Sequence, residues 1–137
     1  HIVERFFLKE KPFKIYGSNQ TRAFCYIDDA VDGTIKAMNN SSSGEIYHIG
    51  NPQEISIAEL TKYIGFLMQY DGEYENAETY PGSVDRRCPN IEKSIRMLNY
   101  NPKFDWKKAV DLTVDWYKKY FNENGNKNIE GFAPPKK

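Results

Sequence analysis

The stretch Gln20-Thr21-Arg22-Ala23-Phe24-Cys25-Tyr26-Ile27-Asp28-Asp29 decides how the chain is read. It leaves a turn, becomes aromatic and apolar, and stops at two carboxylates, the pattern of a strand delivered into a helix start. Residues 22–27 are expected to form the strand. Asp29, or Asp28, is expected to cap the helix by accepting from the orphan amides of its first turn. Further along, Arg86-Arg87-Cys88-Pro89-Asn90-Ile91 repeats the theme. Each run sets arginine beside a strand end, a turn or a helix start, where a protein can hold an anion.

Working outward, residues 2–8 read as a helix with no cap before it, so the chain is expected to be cut from a longer architecture. Lys11-Pro12 ends that helix, 13–16 forms a short strand, and Gly17-Ser18-Asn19 turns the chain. After Asp29, the residues Ala30, Val31, Ile35, Ala37 and Met38 recur at the helical period and predict a buried face. A loop over 39–44 leads to a strand over 45–49. Ser56-Ile57-Ala58-Glu59 is a capping box opening a helix to about residue 70, with Ile57, Leu60, Ile64, Leu67 and Met68 inward. Residues 73–79 are expected to be extended, and Asn90 to cap a helix over 91–98. The last helix, 106–121, carries Trp106, Ala109, Val110, Thr113, Val114, Tyr117 and Phe121 along one stripe. Residues 1–121 are thus one folded part, and 122–137, rich in Asn, Gly, Lys and Pro, a loosely ordered tail.

Bulk properties exclude several function classes. The chain has 137 residues, enough for one modest domain or part of a larger one. Nineteen basic residues balance nineteen acidic ones, so no global field points to nucleic acid or an anionic membrane. Cys25 and Cys88 are the only cysteines and His1 and His48 the only histidines, which rules out a disulfide scaffold and a four-ligand zinc cluster. No apolar run is long enough to span a bilayer, and a cytoplasmic location is expected. Ten Tyr, eight Phe and two Trp predict a core rich in rings, or a buried face cut from its partner.

Few residues offer chemistry. Arg22 follows a turn and opens an aromatic strand, a place from which a guanidinium can clamp phosphate through two parallel hydrogen bonds; the alternative is a surface arginine paired with Asp28, Asp29 or nothing. Arg86 and Arg87 repel each other, so one is expected to reach a ligand while the other faces solvent or a carboxylate. Tyr16 could stack on a base, or fill the core. His48 is expected to be buried and satisfied rather than catalytic. The chain contains no Gly-x-Gly-x-x-Gly, no Tyr-x-x-x-Lys, no P-loop and no nucleophile elbow.

The motifs Pro12-Phe13-Lys14-Ile15-Tyr16-Gly17, Gln20-Thr21-Arg22, Phe24-Cys25-Tyr26-Ile27-Asp28-Asp29, Tyr47-His48-Ile49-Gly50-Asn51-Pro52, Ile55-Ser56-Ile57, Arg86-Arg87-Cys88-Pro89-Asn90-Ile91-Glu92-Lys93 and Leu98-Asn99-Tyr100-Asn101-Pro102 occur in one order. In that order they resemble the C-terminal part of an extended short-chain dehydrogenase/reductase of the NAD-dependent sugar-nucleotide epimerase/dehydratase family, and within it the UDP-glucuronate decarboxylase-like branch. Three departures stand out: a turn before Gln20 about one residue short, Asn90 where Asp is common, and Asn99 where Gly is common, a tolerable change if that helix end is left-handed.

The resemblance implies an α/β fold, the C-terminal portion of an extended Rossmann-type fold. It would comprise the small substrate lobe plus a helix and a strand returning to a large sheet. It implies that Arg22 and one of Arg86 or Arg87, with Arg87 preferred, grip the diphosphate of a nucleoside-diphosphate sugar, expected to be a UDP-sugar. The segment around Ile15 and Tyr16 would line the base pocket. NAD, its glycine-rich loop and the catalytic Tyr and Lys would belong to the preceding part of a homodimeric parent enzyme, leaving this part inactive alone. Two other readings stand beside it: a stand-alone, non-catalytic nucleotide-sugar binding module, and an assembly element that docks through the aromatic helix.

Overall fold

Phe13 and Ile15 point inward while Lys14 and Tyr16 point out, the period-two burial of a strand with one wet face. In the computed structural model of the protein, which describes residues 1–40 and 44–124, this strand is β1 (Phe13–Tyr16). It pairs in parallel with β4 (Tyr74–Ala77), from Phe13 opposite Tyr74 to Tyr16 opposite Ala77. The helix α1 (Ile2–Phe7) lays Phe6 flat on Phe13, ring centroids 3.9 Å apart. Helix α3 (Ile57–Leu67) starts at the expected capping box: Glu59 N donates to Ser56 Oγ at 3.0 Å and Ser56 N to Glu59 Oε2 at 2.9 Å. Leu60 and Ile64 from α3 meet Val3, Phe6, Phe13 and Ile15 with Val110, Val114 and Phe121 of α5 (Trp106–Asn124) in the main core.

A second sheet has three strands, with residues 21–23 in the middle, 54–56 on one side and 86–87 on the other. Strand β2 (Thr21–Ala23) runs antiparallel to β3 (Glu54–Ser56), with Arg22 opposite Ile55, and parallel to β5 (Arg86–Arg87), with Arg22 opposite Arg87. Neither β3 nor β5 is legible as a strand, because each is too short to show a period and exists through its ladder to β2.

The strand expected over 22–27 is shorter. Pairing stops at Ala23, and α2 (Ile27–Asn40) already begins where Ala30 N donates to Tyr26 O at 3.0 Å. Asp28 and Asp29 therefore sit inside the first turn, where the helix dipole favours anions, rather than at the cap. Asp29 is 3% exposed and reaches across the fold. Its Oδ1 accepts from Lys103 N at 2.9 Å and its Oδ2 from Phe104 N at 3.1 Å. Asn51 holds the same segment from the other side, its Nδ2 donating to Phe104 O at 2.7 Å.

The predicted inward face of α2 is also corrected. Val31, Ile35 and Met38 are exposed, and the inward residues are Asp29 and Gly33. Gly33 permits the close approach: a Cβ there would lie 2.9 Å from the Tyr100 ring and nearer still to Ile49. Tyr100, fully buried, joins Ile91 and Leu98 in a second core, packed by Ala37, Tyr47 and Ile49. Leu98 ends α4 (Glu92–Leu98), and Asn99 takes the left-handed conformation at φ 50°. Residues 45–49 form no strand, since nothing among the described residues pairs with them. Helix α3 stops at Leu67 rather than near 70, and α5 continues to Asn124, past the start of the expected tail. Residues 41–43 of the expected 39–44 loop and residues 125–137 of the tail lie outside the described residues.

Candidate anion-binding site

Arg22 occupies the middle of β2, half-buried, between Ile55 on one neighbouring strand and Arg87 on the other. Register partners in a sheet present their side chains to one face, so Arg22 and Arg87 leave the sheet together. Their neighbours Thr21 and Arg86 leave from the opposite face, where both bind Glu54. Arg86 Nη2 lies 2.8 Å from Glu54 Oε2, and Thr21 Oγ1 donates to Glu54 Oε1. These two contacts, Thr21 first, hold the Glu54 carboxyl below its ordinary range, and Glu54 in turn raises Arg86. The charge of Arg86 is thereby matched.

The Arg22 guanidinium is held differently. Nη1 donates to Thr21 O at 2.7 Å and Asp85 O at 3.3 Å. Nη2 donates to Val84 O at 2.8 Å and Gln20 Oε1 at 3.1 Å, with Ser83 Oγ at 3.5 Å. All five acceptors are neutral, and among the described residues Arg22 forms no ion pair. The pairing with Asp28 or Asp29 is absent, because Asp29 is committed to Lys103 and Phe104. Arg87 is exposed and likewise forms no ion pair among the described residues. Two positive charges on one face, Arg22 oriented by neutral dipoles and neither paired with a carboxylate among the described residues, attract a polyanion.

Gln20, invisible as a site residue in the sequence, organises this cluster. It is 8% exposed, and its Oε1 accepts from Ser83 Oγ at 2.9 Å and Thr79 Oγ1 at 3.5 Å as well as from Arg22. Its Nε2 has no partner and is the one such buried side-chain atom among the described residues. Gly17, at φ 64°, leaves room for the amide, since a Cβ there would fall 2.6 Å from Gln20 Oε1. The available signal was its spacing two residues before Arg22, which places both on one strand face.

Beside Thr79, Tyr80 stacks on Tyr16 with centroids 5.9 Å apart and planes 19° apart. Tyr16 is 41% exposed, so an aromatic surface adjoins the arginine cluster. Arg5 lies 5.7 Å from the Tyr16 ring, and is itself clamped by Glu10 through Nε at 2.7 Å and Nη2 at 2.5 Å. That bidentate pair raises Arg5 and lowers Glu10, so Arg5 supports the aromatics rather than offering charge. Ile15 is 2% exposed within the main core, and its side chain has no face for a ligand; the segment offers Tyr16 and main chain.

The remaining candidates lie elsewhere. His48 is exposed rather than buried, with Nδ1 3.2 Å from Asn90 O. Cys25, its thiol pushed up by burial, lies 3.7 Å from the Tyr100 hydroxyl and borders an apolar groove of about 480 Å³ between α3 and α5 that contains none of the arginines. No metal-binding cluster occurs among the described residues, and none of the described helices is long and apolar enough to cross a membrane.

Comparison with known proteins supplies the context. The sequence model of the NAD dependent epimerase/dehydratase family matches residues 1–50. The chain is 32% identical over 132 residues to dTDP-D-glucose 4,6-dehydratase of Mus musculus, covering 88% of this chain and 37% of the relative. It is homologous to the NAD-dependent sugar-nucleotide epimerase, dehydratase and decarboxylase superfamily. UDP-glucuronic acid decarboxylase 1 of Xenopus tropicalis is 30% identical over 129 residues, covering 91% of this chain and 30% of that superfamily member. The crystal structure of UDP-glucose 4-epimerase from Thermotoga maritima, with UDP-glucose, superposes at TM-score 0.81 with 25% identity, covering 88% of this chain and 38% of that one. The fold is accordingly an α/β, Rossmann-like one related to the superfamily, and the chain spans well under half the length of these relatives.

Proposed function

We propose that this chain is the substrate-binding, C-terminal part of an NAD-dependent sugar-nucleotide epimerase, dehydratase or decarboxylase. In this reading Arg22 and Arg87 bridge the diphosphate of a nucleoside-diphosphate sugar, and Tyr16, with the main chain at Ile15, adjoins the base. A UDP-sugar is the preferred ligand. The observation that carries the reading is the register of Arg22 opposite Arg87, on one face and without carboxylates. Diphosphate neutralises two guanidinium groups; Arg87 can offer it parallel N–H donors, whereas Arg22, whose Nη groups already donate to five neutral acceptors, offers its charge. Arg86, tied to Glu54, remains on the other face. The parent enzyme is read as a cytoplasmic homodimer.

NAD, which the superfamily uses, would accept and return a hydride at the sugar. The described residues do not fit it. The β2-to-α2 connection is Phe24-Cys25-Tyr26, with no glycine to let a diphosphate approach the backbone, and Asp28 and Asp29 fill the first turn with negative charge. What these residues do is bind and orient: charge fixes the sugar nucleotide's diphosphate, and the aromatic pair limits where its base can lie.

Calorimetric titration of the full-length natural polypeptide with UDP and UDP-sugars tests this. Arg22→Ala and Arg87→Ala should each abolish measurable binding, and Arg86→Ala should weaken it far less. Binding unchanged in the first two variants would sink the assignment.

A further inference from the structure

The Arg22 guanidinium touches a side chain that is buried, polar and uncharged, at a position where a glutamate would fit the same space. Gln20 Oε1 takes three donors, from Arg22 Nη2, Ser83 Oγ and Thr79 Oγ1, while Nε2 is buried with none. An orphaned buried donor costs stability, of the order of the desolvation penalty of the group. A carboxylate in place of the amide would remove that donor and gain a charged hydrogen bond to Arg22, but it would bury a charge and leave its second oxygen without a donor.

We propose that Gln20 is a positioning residue that sets the charge of the anion site: its amide aims Arg22 without neutralising it. The inference deepens the binding reading above and rests on it. The carbonyl end of the amide fixes one Nη2 direction and, through Ser83 and Thr79, ties down the segment whose Val84 and Asp85 carbonyls hold the rest of the guanidinium. Because every acceptor in this set is neutral, Arg22 keeps a full positive charge for the ligand. The unmatched Nε2 is the accompanying cost. Gly17 belongs to the same device, since its missing side chain is what admits the amide.

The test compares Gln20→Glu with Gln20→Met in the full-length natural polypeptide, reading thermal melting and calorimetric affinity for UDP at several salt concentrations. Gln20→Glu preserves shape and the acceptor at the Oε1 position, so a packing or loop-holding role would leave binding intact. The proposal expects it to fold and melt cooperatively yet bind UDP about tenfold or more weakly, with a shallower salt dependence. Gln20→Met, which removes the acceptor, should weaken binding while keeping the wild-type salt slope. Wild-type affinity in Gln20→Glu, or a Gln20→Glu that fails to fold where Gln20→Met folds, would overturn the proposal while leaving the binding reading intact. A wild-type polypeptide that does not bind UDP would overturn the binding reading and this inference with it.

Discussion

Arg22 and Arg87 face each other across the parallel ladder of β2 and β5, two like charges at directly opposed positions. Such pairs destabilise a sheet when nothing lies between them. Arg87→Gln should therefore leave the unliganded protein as stable as before or raise it by about 0.2–1 kcal/mol. The same substitution should remove most of the stabilisation that added UDP gives the native protein, because a ligand stabilises through its affinity for the folded state. Thermal melts with and without UDP check both halves, and a variant less stable without ligand but equally protected by it would contradict the paired role.

Glu10 links stability to pH. Its hydrogen bond from Arg5 holds the carboxyl below the ordinary value of about 4.3, so over that interval the unfolded chain binds a proton that the native protein does not. The stabilisation is complete above the ordinary glutamate value and is lost as pH falls through the lower, folded value. Glu10→Gln should flatten the acid limb of a melting temperature against pH profile and leave its shape above pH about 6 unchanged. An acid limb identical in the two proteins would assign the effect to other carboxylates.

Local rules of sequence worked where the cause was local: the Ser56 and Glu59 box, the alternation of Phe13 and Ile15, the left-handed Asn99. Arg22 was legible as a candidate because a turn, a strand and a charge coincide there. Arg87 could be preferred over Arg86 only through resemblance, since the choice depends on strand register, and a two-residue strand has no pattern to read. Glu54 was missed because its contacts with Thr21 and Arg86 exist only across the sheet, and Gln20 because its spacing from Arg22 does not reveal its other partners, Thr79 and Ser83. Asp29 misled, because a carboxylate before an apolar run looks like a cap, whereas its partners are more than seventy residues away in the chain.

Asp29 makes a direct prediction. Removing its buried carboxylate leaves the amides of Lys103 and Phe104 without that acceptor in a partly buried site, and hydrogen bonds to charged groups are worth about 1.5–3 kcal/mol. Asp29→Ala should lower stability by about that amount in chemical denaturation, with Asp29→Asn intermediate because one oxygen survives. Amide exchange at Lys103 and Phe104 should accelerate selectively. Unchanged protection at those two amides would show that another acceptor replaces the carboxylate.

Tyr100 joins the second core to the segment before β3. Its hydroxyl donates to Gly50 O at 2.9 Å and lies 3.7 Å from Cys25 Sγ, and burial pushes its ionisation well above the ordinary tyrosine range. Tyr100→Phe keeps the ring but deprives a buried carbonyl of its donor, a change that costs about 1–3 kcal/mol. Burial also raises the Cys25 thiol, so the native protein should alkylate at Cys25 more slowly than the urea-unfolded chain at the same pH. If Cys25 instead reacted as fast in the native state as in urea, burial would not be holding the thiol protonated.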